Sequence, residues 1–116
     1  MKIQIRADGQ IATATLLDTA AARDFALLLP LSLTLTDYAA IEKISDLPRT
    51  LSTEGAPAGE QPAAGDIAYY SPWGNLAIFH QRFRYSAGLV KLGHINQGLE
   101  FLARSGPIKV TIERLP

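Results

Sequence analysis

Polar and apolar residues alternate over Lys2–Ala7, with Ile3 and Ile5 on one side and Lys2, Gln4 and Arg6 on the other. That period of two predicts a half-buried strand. Asp8-Gly9 follows, a pair suited to a tight hairpin because both positions accept positive φ. Ile11–Leu16 returns as the partner strand, with Thr13 and Thr15 favouring β structure. The period then lengthens. Phe25, Leu28 and Leu29 share a helical face behind Ala20, Ala21 and Ala22. Asp18 or Thr19 is placed to cap that helix, and Pro30 to end it. Leu31–Thr36 alternates most cleanly of all, Leu31, Leu33 and Leu35 against Ser32, Thr34 and Thr36.

Asp37–Pro48 keeps neither period. Tyr38, Ile41, Ile44 and Leu47 recur every third residue, which predicts a short helical turn or an irregular edge. Ser52–Ala64 is rich in Gly, Pro, Ala and Glu with almost nothing to bury, and predicts a mobile loop. Gly65 opens a second β-rich half. Asp66–Tyr70 reads as a strand, Ser71-Pro72-Trp73-Gly74 as a turn and Asn75–His80 as the return strand. Gln81–Gly88 is an aromatic and basic loop, and Leu89–Ile95 another strand. Asn96 is the expected cap of a short helix carrying Leu99, Leu102 and Ala103, with Gly106 as a left-handed stop and Pro107 as a block. Ile108–Leu115 closes the chain, with Ile108, Val110 and Ile112 inward. Short strands, two scattered helices and no βαβ rhythm predict a mostly β, closed antiparallel barrel of about eight strands, its ends plugged by the helices. Residues 1–116 form one domain on this reading.

Composition narrows the function classes. Eleven basic and eleven acidic groups cancel, which argues against a nucleic-acid or anionic-membrane partner. The two signs are unevenly spread. Residues 1–66 carry nine acidic and five basic groups, and residues 67–116 two acidic and six basic. Either the halves interleave and average, or a mildly basic surface around Arg82 and Arg84 meets an anionic partner. Without cysteine there is no disulfide framework, thiolate nucleophile or zinc thiolate site. No apolar run approaches the length of a membrane span, and the N-terminus lacks the apolar run of a signal peptide, so the cytoplasm is the expected compartment.

Four segments carry a family likeness: Ile3–Leu29; Gly65-Asp66-Ile67-Ala68-Tyr69-Tyr70 with Ser71-Pro72-Trp73-Gly74-Asn75-Leu76-Ala77-Ile78-Phe79; Leu92-Gly93-His94-Ile95 with Gln97-Gly98-Leu99-Glu100; and Pro107-Ile108-Lys109-Val110. In these the chain resembles the cyclophilin-like fold family, specifically its small prokaryotic members of uncharacterised function. The resemblance implies the barrel, and a peptidyl-prolyl isomerase lineage. It also implies an Arg in a Phe-His-Arg motif after the third strand, where Tyr38-Ala39-Ala40-Ile41-Glu42-Lys43-Ile44 stands instead. The companion Gln-Gly-Gly motif and the pocket Trp have no counterpart, and Leu89 occupies the place of a pocket His. Phe79 matches a pocket Phe.

Candidate chemistry gathers in Phe79-His80-Gln81-Arg82-Phe83-Arg84-Tyr85-Ser86, which alternates flat apolar groups with donors. Arg82 and Arg84 are suited to grip a carboxylate or phosphate, and Phe83 and Tyr85 to pack on a ring. Trp73 either lines a pocket or covers the barrel rim. The candidate ligand-binding set is therefore Trp73, Phe79, His80, Arg82, Tyr85 and Ser86; no catalytic residue is assigned. His80 and His94 would need to meet a carboxylate such as Asp66 or Glu42 to hold a metal, and their spacing does not favour it, so no metal or cofactor is expected. Glu42-Lys43 reads as an exposed pair near the barrel mouth, Lys43 being the one cation near the missing Arg. Three functions follow as expectations: a module binding a small ligand or peptide; a divergent isomerase using Arg82 or Arg49; or a homodimeric interaction subunit meeting its partner through Trp73 and Tyr70.

Overall fold

The computed structural model describes residues 1–116. Strands β1 (Lys2–Ala7) and β2 (Gln10–Leu16) pair antiparallel across the Asp8-Gly9 turn, where both residues have positive φ. Helix α1 (Ala20–Ala26) follows. Thr19 caps it by accepting a hydrogen bond from the Ala22 N–H at 3.2 Å. β3 (Leu31–Tyr38) and β4 (Glu42–Asp46) come next, then a short β5 (Gly59–Glu60), β6 (Asp66–Tyr70), β7 (Asn75–Phe79), a short β8 (Ser86–Ala87) and β9 (Leu89–Gln97). Helix α2 (Leu99–Ala103) and β10 (Ile108–Arg114) complete the chain. Eight strands close into a barrel in the order β1-β10-β3-β4-β7-β6-β9-β2, every pairing antiparallel.

The core fills the barrel. Ile3 and Ile5 of β1, Ile67 and Tyr69 of β6, Leu76 and Ile78 of β7, and Ile108, Val110 and Ile112 of β10 all belong to one buried cluster. The helices add Phe25 and Leu102 to it, both without solvent exposure. Alternation along β6 and β7 puts Ala68, Ala77 and Phe79 on the other face, where they form a second, smaller cluster with Leu89 outside the barrel. Those strands are thus buried on both faces, which is why their sequences run apolar rather than alternating.

Three expectations require correction. Asp37–Pro48 is neither helical nor an irregular edge: β3 runs on to Tyr38, and β4 pairs with both β3 and β7. The strand pattern was masked because β4 buries charge. Lys43 has no exposure at all, with its ammonium 2.7 Å from Asp37 Oδ1 and donating to Gly106 O at 2.6 Å. The Glu42-Lys43 pair is therefore not an exposed one. Second, Ser52–Ala64 does have groups to bury and a strand to pair: Gly59 and Pro62 are buried, and β5 pairs with β8. Ser52 N–H donates to Asp24 at 2.7 Å, and Ala63 N–H donates to Asp66 at 2.8 Å. Backbone hydrogen bonds supply this order, and they leave no side-chain pattern to read. Third, Asn96 does not cap α2. β9 runs on to Gln97, the cap position is Gly98, and Asn96 accepts from the Thr15 hydroxyl at 2.9 Å.

Candidate functional site

Phe79 and Leu89 of the second cluster line a cleft of about 290 Å3 on the outer face of the barrel. β3 and β4 contribute Tyr38 and Glu42, the β6–β7 hairpin contributes Tyr70, Trp73, Asn75 and Phe79, the segment before β8 contributes Phe83, Arg84 and Tyr85, and β8 and β9 contribute Ser86 and Leu89. Six of the nine aromatic residues of the chain line this one cleft; the other three, Phe25, Tyr69 and Phe101, serve the core. A larger depression of about 670 Å3, walled by Met1, Leu17 and Leu27, is mostly apolar. Its Arg23 is already paired with Asp18 at 2.7 Å, so it offers little chemistry.

The cleft walls are built locally. Gly74, with φ of 68°, lets the β6–β7 turn bring Trp73 back over Tyr70, the rings meeting at 84° with centroids 5.2 Å apart. Tyr38 reaches the same indole from β3 at 79° and 5.7 Å. These edge-to-face contacts hold Trp73 although it is 57% exposed. Tyr85 packs over Gly59: any Cβ at that glycine would sit 2.6 Å from the Tyr85 hydroxyl. The β5–β8 pairing thus positions Tyr85 through a position without a side chain.

The polar groups on these walls are few. Glu42 is partly buried, makes no ion pair and no side-chain hydrogen bond, and burial pushes its carboxyl up to about 7. Asn75 is 3% exposed; its amide donates to Leu76 O at 3.4 Å, and its Oδ1 has no donor. Arg84 lies with its guanidinium carbon 4.6 Å from the centroid of the Phe83 ring.

Of the sequence-predicted ligand residues, Trp73, Phe79, Tyr85 and Ser86 come together here. His80 and Arg82 do not. His80 follows Phe79 on the alternate side, near Lys43 and Asp37; burial, followed by the Lys43 charge, lowers its pKa. Its Nε2 is buried without a partner. Arg82 is exposed beyond the cleft. The histidines do not converge: His94 Nδ1 lies 3.0 Å from Asp66 Oδ1, and Lys91 Nζ 3.3 Å from the same oxygen. Leu89 lines the cleft, so the position expected for a pocket His does belong to the site, with apolar chemistry. Glu42, Asn75, Tyr38 and Tyr70 were not among the predicted ligand residues. The signal that could have found Glu42 was its register, two residues beyond a tight turn and opposite Phe79.

The sequence profile of the cyclophilin-like family matches residues 5–113. The chain belongs to the cyclophilin-like family. The solution structure of a hypothetical protein from Archaeoglobus fulgidus superposes on this cyclophilin-like chain with a TM-score of 0.67 at 18% identity, covering 99% of this chain and 95% of the other. At that identity the likeness is one of fold. Among curated proteins no significant match is found. No helix of this cyclophilin-like chain is long and apolar enough to cross a membrane.

Proposed function

We propose that this cyclophilin-like barrel is a binding module whose aromatic cleft receives one small ligand or the side chain of a short peptide. The observation carrying this reading is the gathering of six aromatic rings on one concave patch outside the core. Rings there cost exposed apolar area, which a bound apolar group would remove from water. The isomerase alternative needs an arginine in the cleft free to meet a prolyl nitrogen. Arg82 and Arg49 are not among the lining residues, Lys43 is spent on Asp37 and Gly106, and Arg84 is stacked on Phe83. A homodimer meeting through Trp73 and Tyr70 would draw on the same rings, Trp73 being among the exposed large apolar residues.

Two measurements test the reading. A mixture of small aromatic and aliphatic fragments, screened by amide chemical shifts, is expected to move Tyr38, Tyr70, Trp73, Phe79 and Tyr85 together. Shifts confined to the Leu17–Leu27 depression would sink the proposal. In a protease-free cis/trans assay on an Ala-Pro peptide, the rate is expected to stay at the uncatalysed value with micromolar protein. A protein-dependent acceleration lost in Arg84→Ala would restore the isomerase reading.

A further inference from the structure

Arg82 and Arg84 suggest an anionic ligand when read from the sequence, but the cleft also holds a carboxyl that the loop sequence does not show. Arg82 stands outside it, and the charged group among the lining residues besides Arg84 is the carboxyl of Glu42. An anion placed here would meet that carboxyl. We propose that the cleft selects an organic cation: a protonated amine carried on a single ring or a comparably small apolar frame. This rests on the reading of the cleft as a ligand site and names the ligand's charge.

Three features agree. Glu42 makes no ion pair, although five lysine or arginine pairs with carboxylates form elsewhere in the chain. The ring faces carry negative quadrupole potential and attract cations. Trp73 stands perpendicular to both Tyr38 and Tyr70, so the rings make a corner rather than a flat stack. Finally, the chain already places one cation on these walls. Arg84 lies over the face of Phe83, an intramolecular instance of the contact proposed for the ligand. The volume of about 290 Å3 sits at the small end of ligand pockets, which restricts the frame to about one ring.

The test uses three probes of one shape: benzylamine, benzyl alcohol and benzoate, at about pH 8, where the amine is still protonated and burial no longer holds the proton on Glu42. Trp73 is the single tryptophan, so its emission reports the cleft directly. Benzylamine is expected to bind about tenfold more tightly than benzyl alcohol, with benzoate weakest. Glu42→Gln is expected to abolish the preference for the amine and to leave the alcohol unchanged. Should benzoate bind as tightly as the amine, or the amine bind no better than the alcohol, the cation inference is overturned while the ligand cleft stands. If none of the three perturbs Trp73, both readings fail. The wild-type ranking decides the matter even if the variant is unstable.

Discussion

Glu42 and Lys43 are neighbours in sequence and opposites in fate. Lys43 turns into the barrel, where Asp37 and Gly106 O receive its ammonium group. Its hydrogen bond, followed by that from Gly106 N–H, holds the Asp37 carboxyl below its ordinary range. Glu42 turns out into an apolar cleft with no partner, and burial raises it to about 7. A carboxyl raised on folding binds more protons in the native state than in the unfolded one, so stability falls as pH rises from about 4.5 to about 7. Glu42→Gln is therefore expected to melt at a higher temperature than the parent above pH 7, with the gap closing towards pH 4.5. Thermal unfolding followed by circular dichroism across that window checks it. A constant gap at all pH values would assign the effect to packing instead. The candidate site was half legible at this scale. Trp73, Phe79, Tyr85 and Ser86 were visible as a cluster of flat and polar groups, whereas Glu42 and Asn75 have ordinary residue types and become unusual only through burial.

Strand β9 shows what an element needs in order to close a barrel. It pairs with β2 on one side and β6 on the other, and Gly93 stands opposite both Leu16 and Ile67. A Cβ at Gly93 would lie 2.3 Å from Thr15 O, which belongs to rigid strand backbone. Gly93→Ala is expected to cost more than about 3 kcal/mol, since the clash can be relieved only by parting β2 from β9. Urea unfolding measures this; a loss under about 1 kcal/mol would mean that the strands separate easily. The Leu92-Gly93 pair thus signals close backbone approach. β4 shows the opposite difficulty. Glu42-Lys43-Ile44-Ser45-Asp46 is a strand with a single apolar residue, held by pairing on both sides and by a buried charge, and neither device alters the hydrophobic period.

At the scale of the molecule, the two oppositely charged halves of the sequence interleave. β10 from the basic half lies between β1 and β3 from the acidic half, β9 lies beside β2, and β7 beside β4. Several charges are also consumed internally, Arg104 by Asp8 at 2.6 Å, Arg6 by Glu113 at 3.1 Å and Lys91 by Asp66. No extended basic face results, and the protein is expected to pass through a heparin column without retention at about 0.15 M salt. Retention abolished by Arg82→Ala with Arg84→Ala would revive the basic patch on the Gln81–Gly88 loop. Interleaving also ties the halves together: β1, β2, β3 and β4 of the acidic half each have one barrel neighbour from the basic half.

The sequence by itself determined the barrel, both helices, the family and the aromatic wealth of residues 70–85, because period, turn chemistry and ring content are local properties written in order along the chain. Tertiary structure alone decided which groups the rings would surround. Tyr38 and Glu42 lie more than 30 residues from Phe79 and Tyr85, and barrel closure through β4 and β7 brings them onto one wall. The pairing set the polarity of the cleft. It placed a carboxyl among the rings together with Arg84 and left Arg82 outside the cleft.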